Sequence, residues 1–216
     1  MKPLSRVQLV WYAFVRAVIA GFCRLFWRLD IRGTENIPAT GPFILSPVHR
    51  SNIDTPLVCA LTRRPLRYMG KREMWKYSWS AWFFTSLGGF PVDRGQADRE
   101  ALRSCAEVLN RGEPLVLFPE GTRQSGPTVE HLYDGAAYLA MKTGAPIVPV
   151  GIGGSEAAMP KGARFIRPVK VRMVVGEPLE PKRAEGGGRA SRRAVRELTE
   201  ELQTCLQSLF DEAQKG

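Results

Sequence analysis

Histidine is nearly missing from this 216-residue sequence, where His49 and His131 are the only two. A general base working near neutral pH therefore has few candidates. Cysteine is also sparse. Cys23, Cys59, Cys105 and Cys205 lie far apart with no C-x-x-C pair. That spacing argues against a thiolate zinc cage and a disulfide framework, and it fits a reducing compartment. No apolar run reaches about 18 residues free of charge, which argues against a spanning helix. Acidic residues are outnumbered, with Lys+Arg 31 against Asp+Glu 21 and a net charge of +10. Such a balance points to an anionic partner: nucleic acid, an acidic lipid surface or a phosphorylated substrate. At 44% hydrophobic and 24% charged, the chain is neither disordered, collagenous nor a coiled coil. One domain with a small appendage is expected.

What is present begins with a greasy, basic segment from Leu4 to about Arg28. At about 100° per residue, Val7, Trp11, Phe14, Val15, Val18, Ile19, Phe22, Leu25 and Phe26 fall in one broad arc. Arg6, Arg16, Arg24 and Arg28 cluster on the other side. A basic amphipathic helix of this kind lies in a bilayer interface. Arg16 and Arg24 interrupt the apolar core a signal peptide needs. A helix docked on its own domain would show similar periodicity.

Beyond it, strand-like runs at 43–48, 66–69, 114–118, 147–152 and 169–175 alternate with helical patterns at 54–61, 74–87, 99–111 and 132–143. This alternation predicts an α/β layered domain whose central sheet, largely parallel or mixed, is flanked by helices and preceded by the basic amphipathic N-terminal helix. The expected division is a membrane-interface helix over 1–29, the α/β domain over 30–182, a flexible linker over 183–190 and a C-terminal helix over 191–216 packing on the domain. Pro146 and Pro149 bracket their strand, which predicts an edge or a strand end. Aromatic residues concentrate at the N-terminus instead of interleaving with Lys and Arg, so no nucleic-acid partner is expected.

The chemistry gathers in four short blocks. His49 follows a strand-like run, and Asp54 comes five residues later. On a continuous helix that offset separates the side chains, whereas a strand-to-helix turn can fold Asp54 back toward the ring. A carboxylate there would fix one imidazole nitrogen as donor and free the other to take a proton. The bland alternative is a surface histidine beside a capping aspartate. Phe118-Pro119-Glu120-Gly121-Thr122-Arg123 ends another apolar run. There Gly121 permits close approach or an unusual dihedral, and Arg123 can grip a phosphate with two parallel hydrogen bonds. Glu120 and Arg123 could equally be an ion pair on a turn. Gly88 through Arg94 again runs from glycines to an arginine, and Val148-Pro149-Val150 is the fourth block.

In this order the blocks resemble those of the glycerolipid acyltransferase superfamily, and within it the 1-acylglycerol-3-phosphate acyltransferases of PlsC type. The resemblance spans about residues 30–180, with F-P-E-G-T-R matched at every position and departures at Val48 and Pro91. It implies transfer of a fatty acyl group from a thioester, acyl-CoA or acyl carrier protein, to a lysophosphatidic acid-like acceptor, giving phosphatidic acid for phospholipid biosynthesis. His49 would deprotonate the acceptor hydroxyl and Asp54 would orient it, with nearby donors stabilising the oxyanion. Arg94, Arg123 and Lys71 would clamp the acceptor phosphate, in a pocket shaped by Glu120, Gly121 and Thr122. No cofactor and no metal are implied. Ser51 and Cys59 are the nearest nucleophiles to His49, but direct transfer is preferred to an acyl-enzyme. Glycerol 3-phosphate, another lysophospholipid, lyso-ornithine lipid or a glycolipid are the alternative acceptors, and a non-catalytic membrane-binding module is the alternative class. The expected location is peripheral or monotopic at the cytoplasmic face, on an anionic membrane surface.

Overall fold

A computed structural model describes residues 4–92, 99–181 and 191–215. The first helix, α1 (Arg6–Phe26), begins in a capping box. The Ser5 hydroxyl accepts from the Gln8 amide at 3.3 Å, and the Gln8 side chain accepts from the Ser5 amide at 2.9 Å. It ends where Arg28 turns into the left-handed region at φ 46°, which breaks the helical hydrogen-bond ladder. By length and composition α1 is able to cross a membrane, although Arg16 and Arg24 interrupt it. In the fold it lies against the domain through Tyr12, Ala20 and Cys23, which are buried. The Tyr12 hydroxyl accepts from the Leu66 amide at 3.0 Å, and the Trp27 indole donates to the Arg167 carbonyl at 3.0 Å.

After it come β1 (Asp30–Arg32), β2 (Ile44–Pro47), α2 (Asp54–Val58), β3 (Arg67–Lys71), α3 (Ser78–Ser86) and β4 (Gly89–Val92). The second half holds α4 (Arg99–Asn110), β5 (Leu115–Val116), α5 (Gly135–Thr143), β6 (Ile147–Gly153), α6 (Ser155–Ala158), β7 (Arg172–Val175) and α7 (Arg192–Gln214). The strands form one sheet in the order β1-β7-β6-β2-β5-β3-β4. From β6 to β4 every pair is parallel, β6 meets β7 antiparallel, and β1 runs parallel to β7. The sheet is therefore mixed, with a parallel majority. Strand β2, buried at every residue, sits at its centre.

The strand carrying Pro149 is not at an edge, because β6 pairs with β2 on one side and β7 on the other. Proline is accommodated because its missing N–H faces the side where β7 has just ended. There Ile147 bonds Leu179, and the Pro149 carbonyl accepts from Gly176 at 3.0 Å. The expected linker over 183–190 lies outside the described residues.

On α7, Val195, Leu198, Leu202, Leu206 and Phe210 make one buried stripe, the spacing that turns a helix face inward. This stripe rests on β6 at close range. A Cβ at Gly151 would stand 2.3 Å from the Leu209 carbonyl, so glycine is what lets helix and strand approach. The result is that α7 reaches the loops leaving the carboxyl ends of the parallel strands, where ligands gather in open α/β sheets.

Candidate active site

Strands β2 and β5 are parallel neighbours, so the segments leaving them, His49–Asp54 and Phe118–Arg123, emerge side by side. His49 Nδ1 lies 3.0 Å from Asp54 Oδ2. The same carboxylate oxygen accepts from the backbone amides of Arg50 at 2.7 Å and Ser51 at 2.6 Å. Those two bonds fold the side chain of the aspartate, the first residue of α2, back over the turn. Asp54 is fully buried, and the His49 side chain keeps 15% of its surface. Since the carboxylate only accepts, Nδ1 carries the proton and Nε2 is left as the basic atom. The Phe118 ring stacks on the imidazole at 4.2 Å between centroids, which restricts its rotation.

Glu120 is buried directly beneath this turn. Its Oε2 accepts from the His49 amide at 2.6 Å, and its Oε1 lies 3.0 Å from the Arg50 guanidinium. Arg50 itself is 1% exposed. It donates to the Thr128 carbonyl at 2.9 Å and lies 4.8 Å from the centroid of the Phe210 ring on α7. Burial pushes the Glu120 carboxyl above its ordinary pKa, while the His49 amide and the Arg50 guanidinium pull it down. The partner of Glu120 is thus Arg50, and the turn-decorating pair with Arg123 does not form.

Arg123 is half-buried and, among the described residues, has no carboxylate partner. Gly121 sits at φ 67°, and a Cβ there would fall 2.7 Å from the Tyr133 ring. Glycine therefore serves both the dihedral and the approach. The amide of Thr122 bonds the Glu120 carbonyl at 2.7 Å, leaving its side chain exposed. The Gln124 amide bonds the His49 carbonyl at 2.9 Å, which ties the two segments together again. Lys71 ends β3 at the same end of the sheet and is exposed. Arg94 lies outside the described residues.

The covalent alternatives are otherwise engaged. Ser51 Oγ donates to the Met159 carbonyl at 2.7 Å and accepts from the Ile53 amide at 3.4 Å. Cys59 is buried, and that burial pushes its thiol up to about 12, far from a thiolate at neutral pH.

Arg50 and Phe210 are the site residues that sequence reasoning passed over, while Phe118 stood in its block without a role of its own. An arginine after the histidine reads as solvated surface, and Phe210 reads as one more core position of an amphipathic helix. Glu120→Gln tests the buried pair. The amide oxygen can still receive the His49 N–H, but Arg50 is left charged and unpaired. Thermal or denaturant unfolding is expected to show a loss of about 3–5 kcal/mol, and an unchanged midpoint would mean the pair adds nothing.

Comparison with known proteins identifies the family. The chain is 26% identical over 199 residues to a Bacillus subtilis (strain 168) protein named 1-acyl-sn-glycerol-3-phosphate acyltransferase, covering 92% of this chain and 96% of that one. A Pseudomonas aeruginosa protein of the same name is 28% identical over 209 residues, covering 91% and 78%. The crystal structure of the 1-acyl-sn-glycerophosphate (LPA) acyltransferase PlsC from Thermotoga maritima superposes with a TM-score of 0.75 at 30% identity, covering 93% of this chain and 80% of that one. Residues 28–153, which contain the paired His49 and Asp54 and the whole Phe118–Arg123 block, match the family described as Acyltransferase, and the chain belongs to that family.

Proposed function

We propose that the protein transfers a fatty acyl group from a thioester to the free hydroxyl of a 1-acylglycerol 3-phosphate, giving phosphatidic acid. The observation that carries this reading is a histidine fixed at Nδ1 by a buried carboxylate, beside an arginine with no acidic partner among the described residues. Nε2 of His49 takes the hydroxyl proton as the oxygen attacks the thioester carbonyl. The tetrahedral intermediate then expels the thiolate, which receives that proton from the imidazolium. Asp54 stabilises the imidazolium between the two steps. Arg123 holds the acceptor phosphate, with Lys71 and Arg94 as further cations and Thr122 as a hydroxyl donor. Glu120 and Gly121 shape the loop that presents Arg123, with Glu120 acting from below through Arg50 and the His49 amide. Direct transfer is favoured because Ser51 and Cys59 are both engaged elsewhere. No cofactor enters this scheme, and the acyl donor, acyl-CoA or acyl carrier protein, is a substrate.

The reaction is proposed to run on a membrane surface. The centre of the greasy arc of α1, with Val7, Phe14, Val18, Phe22 and Leu25, faces outward, and Leu25 is 83% exposed. Only one flank of the helix is docked. An apolar stripe left outside while the opposite flank packs is the arrangement of a helix lying in a headgroup boundary. The net charge of +10 favours an anionic leaflet, and the four free cysteines favour its cytoplasmic side.

Acceptor recognition gives the test. Arg123→Ala is expected to lower kcat/KM for lysophosphatidic acid by about 10²-fold, as for loss of a charge-assisted hydrogen-bond pair. Arg123→Lys is expected to restore little, since a point charge lacks the bidentate fork. A mass-spectrometric screen of lysolipid acceptors against both donor types checks both results. Equal turnover of lysophosphatidic acid and its dephosphorylated form by the native enzyme would defeat the phosphate assignment.

A further inference from the structure

Behind α1 the chain forms a second concave, basic surface that the acyl-transfer site does not use. A cleft of about 460 Å³ opens between α1, the segment after β1 and the loop between α2 and β3. Arg16, Arg24 and Arg63 line it, with the hydroxyl-bearing Thr34 and Thr62 and a floor that includes Ile31 and Leu61. Among the described residues no Asp or Glu lines it. Among the described residues none of the three arginines has a carboxylate partner. Three like charges around one cleft repel each other, and a bound anion relieves that repulsion.

Topology separates this cleft from His49. The loop carrying Arg63 feeds the amino end of β3, whereas His49 leaves the carboxyl end of β2, a strand in the same direction. Thr34 follows β1, which runs opposite to β2. The cleft therefore lies at the far end of the sheet from the acyl-transfer site, and an anion there need not compete with the acceptor.

We infer that this cleft is a second phosphate site, which takes the headgroup phosphate of an anionic lipid from the leaflet on which α1 lies. The inference rests on the reading of α1 as an in-plane membrane helix. At about 100° per residue, Arg16 lies roughly opposite the Val18–Leu25 stripe and Arg24 on its flank. A helix about 10–12 Å across, sunk about 5–10 Å into the headgroup boundary, carries its far side at the level of the lipid phosphates. Guanidinium forks and threonine hydroxyls are the donors such a phosphate needs.

The test uses the full chain in sedimentation with phosphatidylcholine vesicles, with and without phosphatidic acid. A cleft variant, Arg16→Gln with Arg24→Gln and Arg63→Gln, is compared with a charge-matched variant on α7, Arg192→Gln with Arg193→Gln and Arg196→Gln. The cleft variant is expected to lose about tenfold or more in affinity for the anionic vesicles, with little change on neutral ones. The α7 variant is expected to lose far less. Arg63→Gln alone, an exposed loop substitution, is expected to lose several-fold and guards against a folding defect in the triple variant. Activity on detergent-dispersed acceptor is expected to stay at the native level in both triples. Equal losses in the two triples would reduce the cleft to diffuse attraction and overturn the site. Calorimetric binding of inorganic phosphate by the native protein but not by the cleft variant, with vesicle affinity equal in the two, would assign the cleft to a soluble anion and overturn the lipid. Native protein that sediments with neither vesicle would defeat the in-plane reading of α1 itself, a different failure from native protein that binds while the cleft variant binds equally well.

Discussion

His49→Ala is expected to lower acyl transfer by about 10²–10⁴-fold while leaving the unfolding midpoint within a few degrees of native. Among the described residues, the imidazole is the only group at the junction of β2 and β5 with a free basic nitrogen, so none of them takes over proton removal. The fold should survive, because the ring is part-exposed and Asp54 keeps the amides of Arg50 and Ser51 as donors. Asp54→Asn gives the complementary result. An amide can donate to Nδ1, which moves the imidazole proton to Nε2 and removes the base without removing the ring. Single-turnover rates with a saturating thioester, alongside circular dichroism, check both. Near-native turnover in a folded His49→Ala protein would end the base assignment.

The second large effect concerns the outer face of α1. Substituting Phe14, Val18 and Phe22 with serine removes three exposed apolar groups, each worth about 1.5–3 kcal/mol when buried. Vesicle affinity is expected to fall by more than 10²-fold, and turnover of bilayer-embedded acceptor should fall with it. Stability should barely change, because none of the three is in the core. The same surface continues onto α3, where Trp79 is 71% and Trp82 61% exposed. Trp82 and Trp11 have ring centroids 5.9 Å apart, which joins the two helices into one apolar face. Trp79→Ser with Trp82→Ser should therefore add to the loss. These substitutions are more decisive than a truncation beginning near Asp30. Removing α1 also uncovers the groups that Tyr12, Ala20 and Cys23 cover, so truncation confounds anchoring with folding. Serine variants that sediment like native protein would show that the face does not meet lipid.

Much of this was legible in the sequence because the chemistry is local. The His49–Asp54 spacing already requires a turn for the side chains to meet, and the turn exists. The order of strands and helices gives the layered α/β fold through periodicity alone. Two strands were invisible for a physical reason: β1 has three residues, two of them charged, and β4 four, two of them glycine and proline, so neither reads as an apolar run. The 3₁₀ turn Arg72–Trp75, which splits the long helical pattern before α3, is equally short. Glu120 shows a different limit. In the sequence it adjoins Arg123, but parallel pairing of β2 with β5 sets it under His49 and against Arg50. Neighbours along the chain are not neighbours across a sheet. The two flanks of α1 were likewise merged, since one hydrophobic arc does not say which part of it meets protein.

The grip of α7 on the Arg123 loop bears on when the enzyme becomes competent during its own synthesis. Gln207 receives the Val129 amide at 2.7 Å and donates to the Pro127 carbonyl at 3.0 Å, while Gln203 donates to the Val129 carbonyl at 3.2 Å. Phe210 meanwhile covers the buried Arg50. Every one of these contacts comes from a helix translated after both halves of the site have left the ribosome. At about 5–20 residues per second, the histidine turn and the Arg123 loop wait on the order of ten seconds for that brace. On the proposed in-plane reading of α1, a nascent chain can meet a bilayer well before its acyl-transfer site is locked.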